Sequence, residues 1–330
     1  MNAQLDPAGT GGEPPIRGFR TRERALVETV FLGPNGVRAG WRAALYVALF
    51  VVIFTALQFL LALAFPRSSL LESILTPQVL LFQELLLVAG AFGSAQIMAL
   101  LEGRSFGAYG VPWRGAFGAR FWQGTLWGIL QLSAIMLPID FWGGYTFGGL
   151  ALHGRDIVWD ALLWGLTFLA VGFAEEFLFR GYLQFTLTEG IGFWPAAALL
   201  SVSFGAVHLR NPGEGPVGAL SVVAIGIFLC FTLWRTGDLW WAIGWHAAFD
   251  FGETYLYSVP NSGIVTRGHL LAASLHGPRW ISGGAVGPEG SLAAFAVLAV
   301  AFAAFDRLYR PRRKNAHALN THPDHSSAPS

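Results

Sequence analysis

The sequence predicts an all-α, polytopic transmembrane helix bundle with about eight spanning helices. Of its 330 residues, 54% are hydrophobic and only 12% are charged, about half the charged fraction usual in soluble domains. Aromatic residues reach 14%, including 13 Trp and 27 Phe, as expected of a chain anchored at two membrane interfaces. A chain this apolar cannot bury its hydrophobic surface in one soluble core, so we expect lipid to be its solvent.

Eight apolar segments are long enough, or nearly so, to cross a bilayer as helices of ~20 residues. Polar or helix-breaking residues end the early segments: Pro66-Arg67 follows the first, and Glu102-Gly103-Arg104 follows the second. The fifth segment is short for a complete span. In chain order, the predicted spans are 41–65, 77–101, 121–141, 157–185, 194–209, 216–234, 239–257 and 291–308.

The bundle is predicted over residues 41–310, and the residues most suited to chemistry lie within 150–257. Residues 1–40 form a polar tail that we expect in the cytoplasm, and 311–330 have the composition of a disordered tail. The glycine-rich stretch 258–290 is predicted to be a loop folded over one face of the bundle. Cys230 is the single cysteine, which excludes an internal disulfide and a cysteine-cluster metal site.

Arginines orient the bundle, since basic loop residues favour the cytoplasmic side. They flank the first and last spans and the connection between the second and third, which requires an even number of spans if all are cytoplasmic. We therefore expect a multi-pass protein of the bacterial inner (cell) membrane with both termini in the cytoplasm. The basic clusters are interpreted as topology signals, with no nucleic acid partner. Gly124 and Gly128 form a small-xxx-small pair that favours close helix packing within the bundle.

Ionisable side chains inside apolar segments are functional candidates, because each costs ~2.5–3.5 kcal/mol at the bilayer centre on insertion scales. Glu175 and Glu176 lie deep in the fourth segment. Glu176 and Arg180 are four residues apart, share a helix face and can pair. Glu175 points ~100° away from Glu176, so Arg180 neutralises it less, and it becomes the candidate general base.

Histidines occur at two later positions in the apolar segments. His208 ends the fifth segment, where a structural role is also compatible with the pattern. His246 and Asp250 are four residues apart on one helix face. Asp250 can fix the tautomer of the histidine, or the pair can bind water, a metal or an oxyanion. The other acids of the apolar segments are interpreted as structural hydrogen-bonding groups or as residues at an interface: Glu84, Asp160 and Glu253.

The membrane depths predicted for Glu175 and His208 conflict with a site that contains both residues. At ~1.5 Å per residue, the predicted boundaries place Glu175 toward the cytoplasmic third of the membrane. The same count places His208 nearer the opposite face. The two side chains can meet only if a helix starts deeper than predicted or is kinked.

Three motifs follow one another on successive segments: Glu175-Glu176-x-x-x-Arg180, Phe204-x-x-x-His208 and His246-x-x-x-Asp250. In this order they resemble the CAAX-protease and bacteriocin-processing family (CPBP, also called Abi) over roughly 150–257. The stretch Phe106-Gly107-Ala108-Tyr109-Gly110 is similar to the usual lead-in of that family. Family members often have Asn where this chain has Asp250.

The resemblance implies an intramembrane endopeptidase acting on a peptide or lipidated protein substrate. Glu175 would activate the attacking water, and His208 would help to orient or deprotonate it. His246 and Asp250 would stabilise the tetrahedral oxyanion or complete a polar pocket. Supporting roles fall to Glu176, Arg180 and Phe204.

The resemblance leaves open whether the reaction uses a metal. Family members are commonly called metalloproteases, but a metal-free, glutamate-dependent mechanism also fits the residues. Zinc, if present, would be held by Glu175, His208 and His246. The chain lacks the His-Glu-x-x-His spacing of other zinc proteases. It also lacks the rhomboid-like Gly-x-Ser-Gly and presenilin-like Gly-x-Gly-Asp motifs.

Two other functions are compatible with the same residues. A proton-coupled transporter also uses buried glutamate, histidine and arginine, as proton relays. A non-catalytic family member would bind peptides or partner membrane proteins. In each case the expected partners include membrane lipid.

Overall fold

A computed structural model describes residues 30–33, 36–64 and 76–310. Most of the predicted amino-terminal tail and the whole tail 311–330 lie outside the described residues. The part of 1–40 that is described holds a short antiparallel hairpin, β1 (Leu32–Gly33) with β2 (Gly36–Val37), directly before the first helix.

The architecture is an all-α bundle, as predicted. A second two-stranded sheet pairs β3 (Tyr145–Thr146) with β4 (Ser274–Leu275) in antiparallel register. The helices of the described residues are α1 (Ala39–Ala64), α2 (Pro77–Glu102), α3 (Ala119–Phe141), α4 (Arg155–Arg180), α5 (Tyr182–Ile191), α6 (Phe193–His208), α7 (Pro216–Thr236), α8 (Trp240–Phe251), α9 (Arg279–Ser282) and α10 (Leu292–Leu308).

All eight predicted segments are helical, but they differ in length. Within the described residues, five helical stretches are long and apolar enough to cross a membrane: α1, α2, α3, α4 continued by α5, and α7. Helix α6 has 16 residues, α8 has 12 and α10 has 17. Each of these is shorter than the ~20 residues of a full span, so the bundle combines complete spans with shorter helices.

Ion pairs gather at one end of the bundle, which we call the arginine end. Arg42 at the start of α1 binds Glu102 at the end of α2 (3.3 Å) and Glu189 of α5 (2.5 Å). Arg104 binds the same Glu189 at 2.5 Å. Two further pairs lie at helix termini of this end: Arg120 with Asp238, and Arg235 with Asp306. The opposite end, which we call the loop end, carries residues 142–154 and 258–290.

Helix α4 is offset along the bundle axis from its neighbour α2. The Thr167 hydroxyl donates to the carbonyl oxygen of Pro77, the first residue of α2, at 3.0 Å. The first three turns of α4 therefore project beyond α2 at the loop end. Glu175 lies eight residues after Thr167, or about 12 Å further along the helix, at the depth of Glu84.

The helix packing resolves the conflict in depth between Glu175 and His208. Helix α5 leaves the axis of α4 after Gly181 and ends at the arginine end, where Glu189 makes its ion pairs. Helix α6 starts two residues after α5 ends and returns toward the loop end, finishing at His208. The offset of α4 and this return bring Glu175 and His208 to the same cavity.

Helices α3 and α8 are in backbone contact through glycine. A Cβ atom at Gly124 would clash with the carbonyl oxygen of Trp241, and one at Gly128 with that of Trp245. From the other side, a Cβ at Gly244 would clash with the carbonyl oxygen of Phe121. The small-xxx-small pair therefore packs within the bundle, as predicted, and fixes the position of α8.

We expect Gly128→Ala to lower the stability of the folded protein. The added methyl group meets backbone atoms that cannot move independently of α8, and overpacking of this kind costs about 1–3 kcal/mol. Thermal unfolding of the purified protein in detergent measures the effect. Gly165→Ala is the matched control, because a Cβ there meets nothing within 4 Å. Equal melting temperatures for the two variants would contradict the packing described above.

Candidate active site

A cavity of about 320 Å³ lies between α2, α4, α6, α7 and α8. Four residues singled out from the sequence for chemistry line it, namely Glu175, His208, His246 and Asp250, and so does Phe204. The cavity extends to the loop end, where Asn211, Asn261, Ser262 and Thr266 form part of its wall. The structure thus brings together side chains from three separate segments of the chain.

Glu176 and Arg180 lie behind the cavity wall, and both side chains are fully buried. Arg180 Nη1 donates to Glu176 Oε1 at 3.1 Å, the pair expected from their spacing. The guanidinium of Arg180 also lies over the ring of Phe204, 4.2 Å from its centroid. Because an isolated buried charge is strongly destabilising, each of these two side chains depends on the other.

The ring of His246 is oriented by Glu176. His246 Nδ1 donates to Glu176 Oε1 at 2.8 Å, which places a proton on Nδ1 and turns Nε2 toward the cavity. On that side, Glu175 Oε2 and Asp250 Oδ2 each lie 3.5 Å from Nε2. The sequence offered Asp250 as the residue that fixes this tautomer, but the bond on Nδ1 is made by Glu176.

His208 is oriented by the backbone of its own helix. Its Nδ1 donates to the carbonyl oxygen of Phe204 at 2.8 Å, so in the neutral imidazole Nε2 carries the acceptor lone pair. The rings of Phe204 and His208 pack edge to face, with centroids 4.5 Å apart. The same phenyl ring lies 6.4 Å from His246. Phe204 therefore packs against both histidines and Arg180.

Glu175 and Glu176 have different surroundings, as their divergence on the helix predicts. The side chain of Glu175 is 27% exposed, whereas that of Glu176 is fully buried. Glu175 lines the cavity, and no hydrogen bond to it is found among the described residues. Its oxygens are thus available to a molecule in the cavity, while one oxygen of Glu176 is used to hold Arg180 and His246.

Sequence reasoning missed two acids of the cavity. Glu84 of α2 is 8% exposed and lines the same cavity, although we interpreted it as structural. The signal was present, since Glu84 is an acid in an apolar helix. Glu289 comes from the predicted loop and accepts from the N–H (2.5 Å) and hydroxyl (2.9 Å) of Ser262. Burial raises the pKa of Glu289 to about 8.

The donor atoms do not form a zinc site as they are arranged. Within the described ranges, no group of three or more His, Cys, Asp or Glu side chains is placed to hold a metal ion. Glu176 occupies Nδ1 of His246, and the Phe204 carbonyl occupies Nδ1 of His208. Nε2 of each histidine remains free of those two bonds, but Glu175 and the two histidines are not grouped at metal-binding distance among the described residues, and the chemistry below is described for the side chains.

Comparison with known proteins gives one family match. Residues 157–252 match the family described as "Type II CAAX prenyl endopeptidase Rce1-like". No curated protein matches the chain. The matched segment runs from α4 through α8 and contains all three motifs of the site. Over the segment that builds the cavity, the chain is therefore similar to CAAX prenyl endopeptidases, and its long apolar helices are those of an integral membrane protein.

Proposed function

We propose that this protein is an intramembrane endopeptidase that hydrolyses a peptide bond of a membrane-associated or prenyl-like substrate with water activated by Glu175. The observation that carries the proposal is the single cavity lined by Glu175, His208, His246 and Asp250 inside an apolar bundle. The family match over 157–252 supports the same reaction class.

Glu175 is the general base. It is the carboxylate of the double-glutamate motif that reaches the cavity, and it is near His246 without being held by an arginine. It removes a proton from water as the oxygen attacks the scissile carbonyl carbon. His208 presents an acceptor Nε2, since its Nδ1 proton is donated to the Phe204 carbonyl oxygen, and it accepts a hydrogen bond from the O–H that the water keeps.

His246 stabilises the oxyanion. A preorganised donor aimed at the developing negative charge contributes more than any other single effect in many hydrolases. With Nδ1 held by Glu176, a second proton on Nε2 makes His246 such a donor. Asp250 accepts hydrogen bonds but cannot donate one when ionised. In this chain Asp250 therefore balances the charge of His246, rather than donating to the oxyanion as Asn can.

The remaining cavity wall suits an apolar substrate segment. Besides the polar groups, the lining includes Leu80, Phe168, Val171, Val222, Ile225 and Phe249. Ligand sites commonly combine an apolar wall with a few convergent polar groups that fix orientation. This composition supports a peptide with apolar side chains or an attached lipid as substrate.

Glu175→Gln is expected to abolish cleavage and leave the fold intact. The amide cannot accept a proton from water, and loss of general-base catalysis lowers a rate by typically 10²–10⁴-fold. Proteomic comparison of membranes containing wild type or variant measures the change as cleaved peptides that disappear.

Asp156→Asn is the matched control, because Asp156 is an exposed carboxylate on the same helix. A scaffold or peptide-binding protein would retain its function in Glu175→Gln. Identical cleavage products from wild type and Glu175→Gln would contradict the proposed reaction.

We further propose that the arginine end faces the cytoplasm, in the inner membrane of a bacterium. Arg42, Arg104, Arg120 and Arg235 all lie at or next to helix termini of this end, where basic residues favour the cytoplasmic side. The cavity reaches the loop end through Asn211 and Ser262, so the substrate would enter from the other side of the membrane.

Labelling of an introduced cysteine tests this orientation. Cys230 is fully buried, so the wild-type chain gives the background signal with a membrane-impermeant maleimide. Ser274→Cys at the loop end is expected to react in intact cells, whereas Ala119→Cys at the arginine end is expected to react only after permeabilisation. Both positions are exposed. The reverse pattern would show that the arginine end faces outward.

A further inference from the structure

Glu84 has the properties of a reacting group that the mechanism above leaves unused. Its side chain is more than nine-tenths buried and lines the cavity with Glu175, His246 and Asp250. Its Oε2 atom has no hydrogen-bond partner among the described residues.

The charges around the cavity favour a neutral Glu84. The Arg180 guanidinium is paired with Glu176, and the same carboxylate accepts from the imidazole of His246. Glu175 and Asp250 each lie at ion-pair distance from that imidazole, but no ion pair of Glu84 is found among the described residues. A buried carboxyl group without a cationic partner remains neutral and retains its proton. Glu84 is then an O–H donor facing the cavity.

We propose that Glu84 is the general acid of the reaction and gives its proton to the departing amine nitrogen. This inference rests on the proposed peptidase function. An amine cannot leave a tetrahedral intermediate as an anion, so peptide hydrolysis needs a proton donor on the side of the leaving group. Glu84 reaches the cavity from α2, whereas the base Glu175 reaches it from α4.

The protons balance over one turnover. Glu175 takes one proton from water as the oxygen–carbon bond forms. The carbon–nitrogen bond breaks as Glu84 gives its proton to nitrogen, which releases the amine product and the new carboxyl group. Glu175 then carries a proton and Glu84 is ionised. Proton transfer from Glu175 to Glu84 through cavity water restores the starting state.

The test compares two substrates that differ only in the leaving group. One is a fluorogenic farnesylated CAAX peptide, and the other is its analogue with a thioester at the scissile bond. A thiol with a pKa of about 8.5 leaves as thiolate without protonation. For the full chain in lipid nanodiscs, Glu84→Gln is expected to slow peptide cleavage by about 10²–10⁴-fold. Thioester cleavage should stay within a few-fold of wild type.

Control variants separate the possible failures. Asp160→Asn makes the same acid-to-amide change on α4 at a residue that does not line the cavity, and it should cleave both substrates normally. Glu175→Gln should lose both activities. An equal loss of both activities in Glu84→Gln would overturn the general-acid role and leave Glu84 a positioning residue. Unchanged peptide cleavage in that variant would also overturn it.

A second measurement applies if Glu84→Gln does not fold. Glu84→Ala with added formate should regain peptide cleavage, because formic acid can occupy the vacated space and supply the proton. Failure of formate to restore cleavage by folded Glu84→Ala would overturn the proposal. Wild-type protein that cleaves neither substrate would instead overturn the proposed peptidase function, a result distinguishable from loss of the acid alone.

Discussion

The rest of the site depends on the hydrogen bonds that the buried carboxylate of Glu176 accepts. One of its oxygens accepts from Arg180 on the same helix and from Nδ1 of His246 on α8. A buried charge that loses its partner costs about 3–5 kcal/mol, so the three side chains hold one another in place. Their arrangement also fixes the tautomer of His246 and turns Nε2 toward Glu175 and the cavity.

Helix packing outside the site positions the side chains that meet at Glu176 and in the cavity. Gly124 and Gly128 let α3 approach the backbone of α8, which sets the depth of His246. Gly181 lets the chain leave α4, since a Cβ there would clash with the Phe177 carbonyl oxygen. The short helix α5 then ends at the arginine end, and α6 begins there. As a result His208 approaches the site from the opposite direction to Glu175.

The sequence was sufficient to predict the all-α class and to identify the three motifs, because a charged residue in an apolar segment is easily recognised. Depth could not be predicted, since the offset of α4 against α2 depends on contacts such as Thr167 with Pro77. The contact of Glu176 with His246 Nδ1 was not predicted, because spacing within one helix reveals Asp250 as a partner of His246, whereas Glu176 comes from another helix. Glu84 was judged structural for the same reason: the other ionisable side chains of the cavity lie on other segments of the chain.

In the proposed reaction, water is added across the peptide bond inside this cavity. The most direct measurement is ¹⁸O incorporation: the purified protein is incubated with a farnesylated CAAX peptide in ¹⁸O-labelled water, and the product masses are determined by mass spectrometry. Under single-turnover conditions the new carboxyl terminus is expected to carry one ¹⁸O atom from solvent, and Glu175→Gln is expected to release no product. Equal labelled product from wild type and Glu175→Gln, or no product from either, would contradict this reaction.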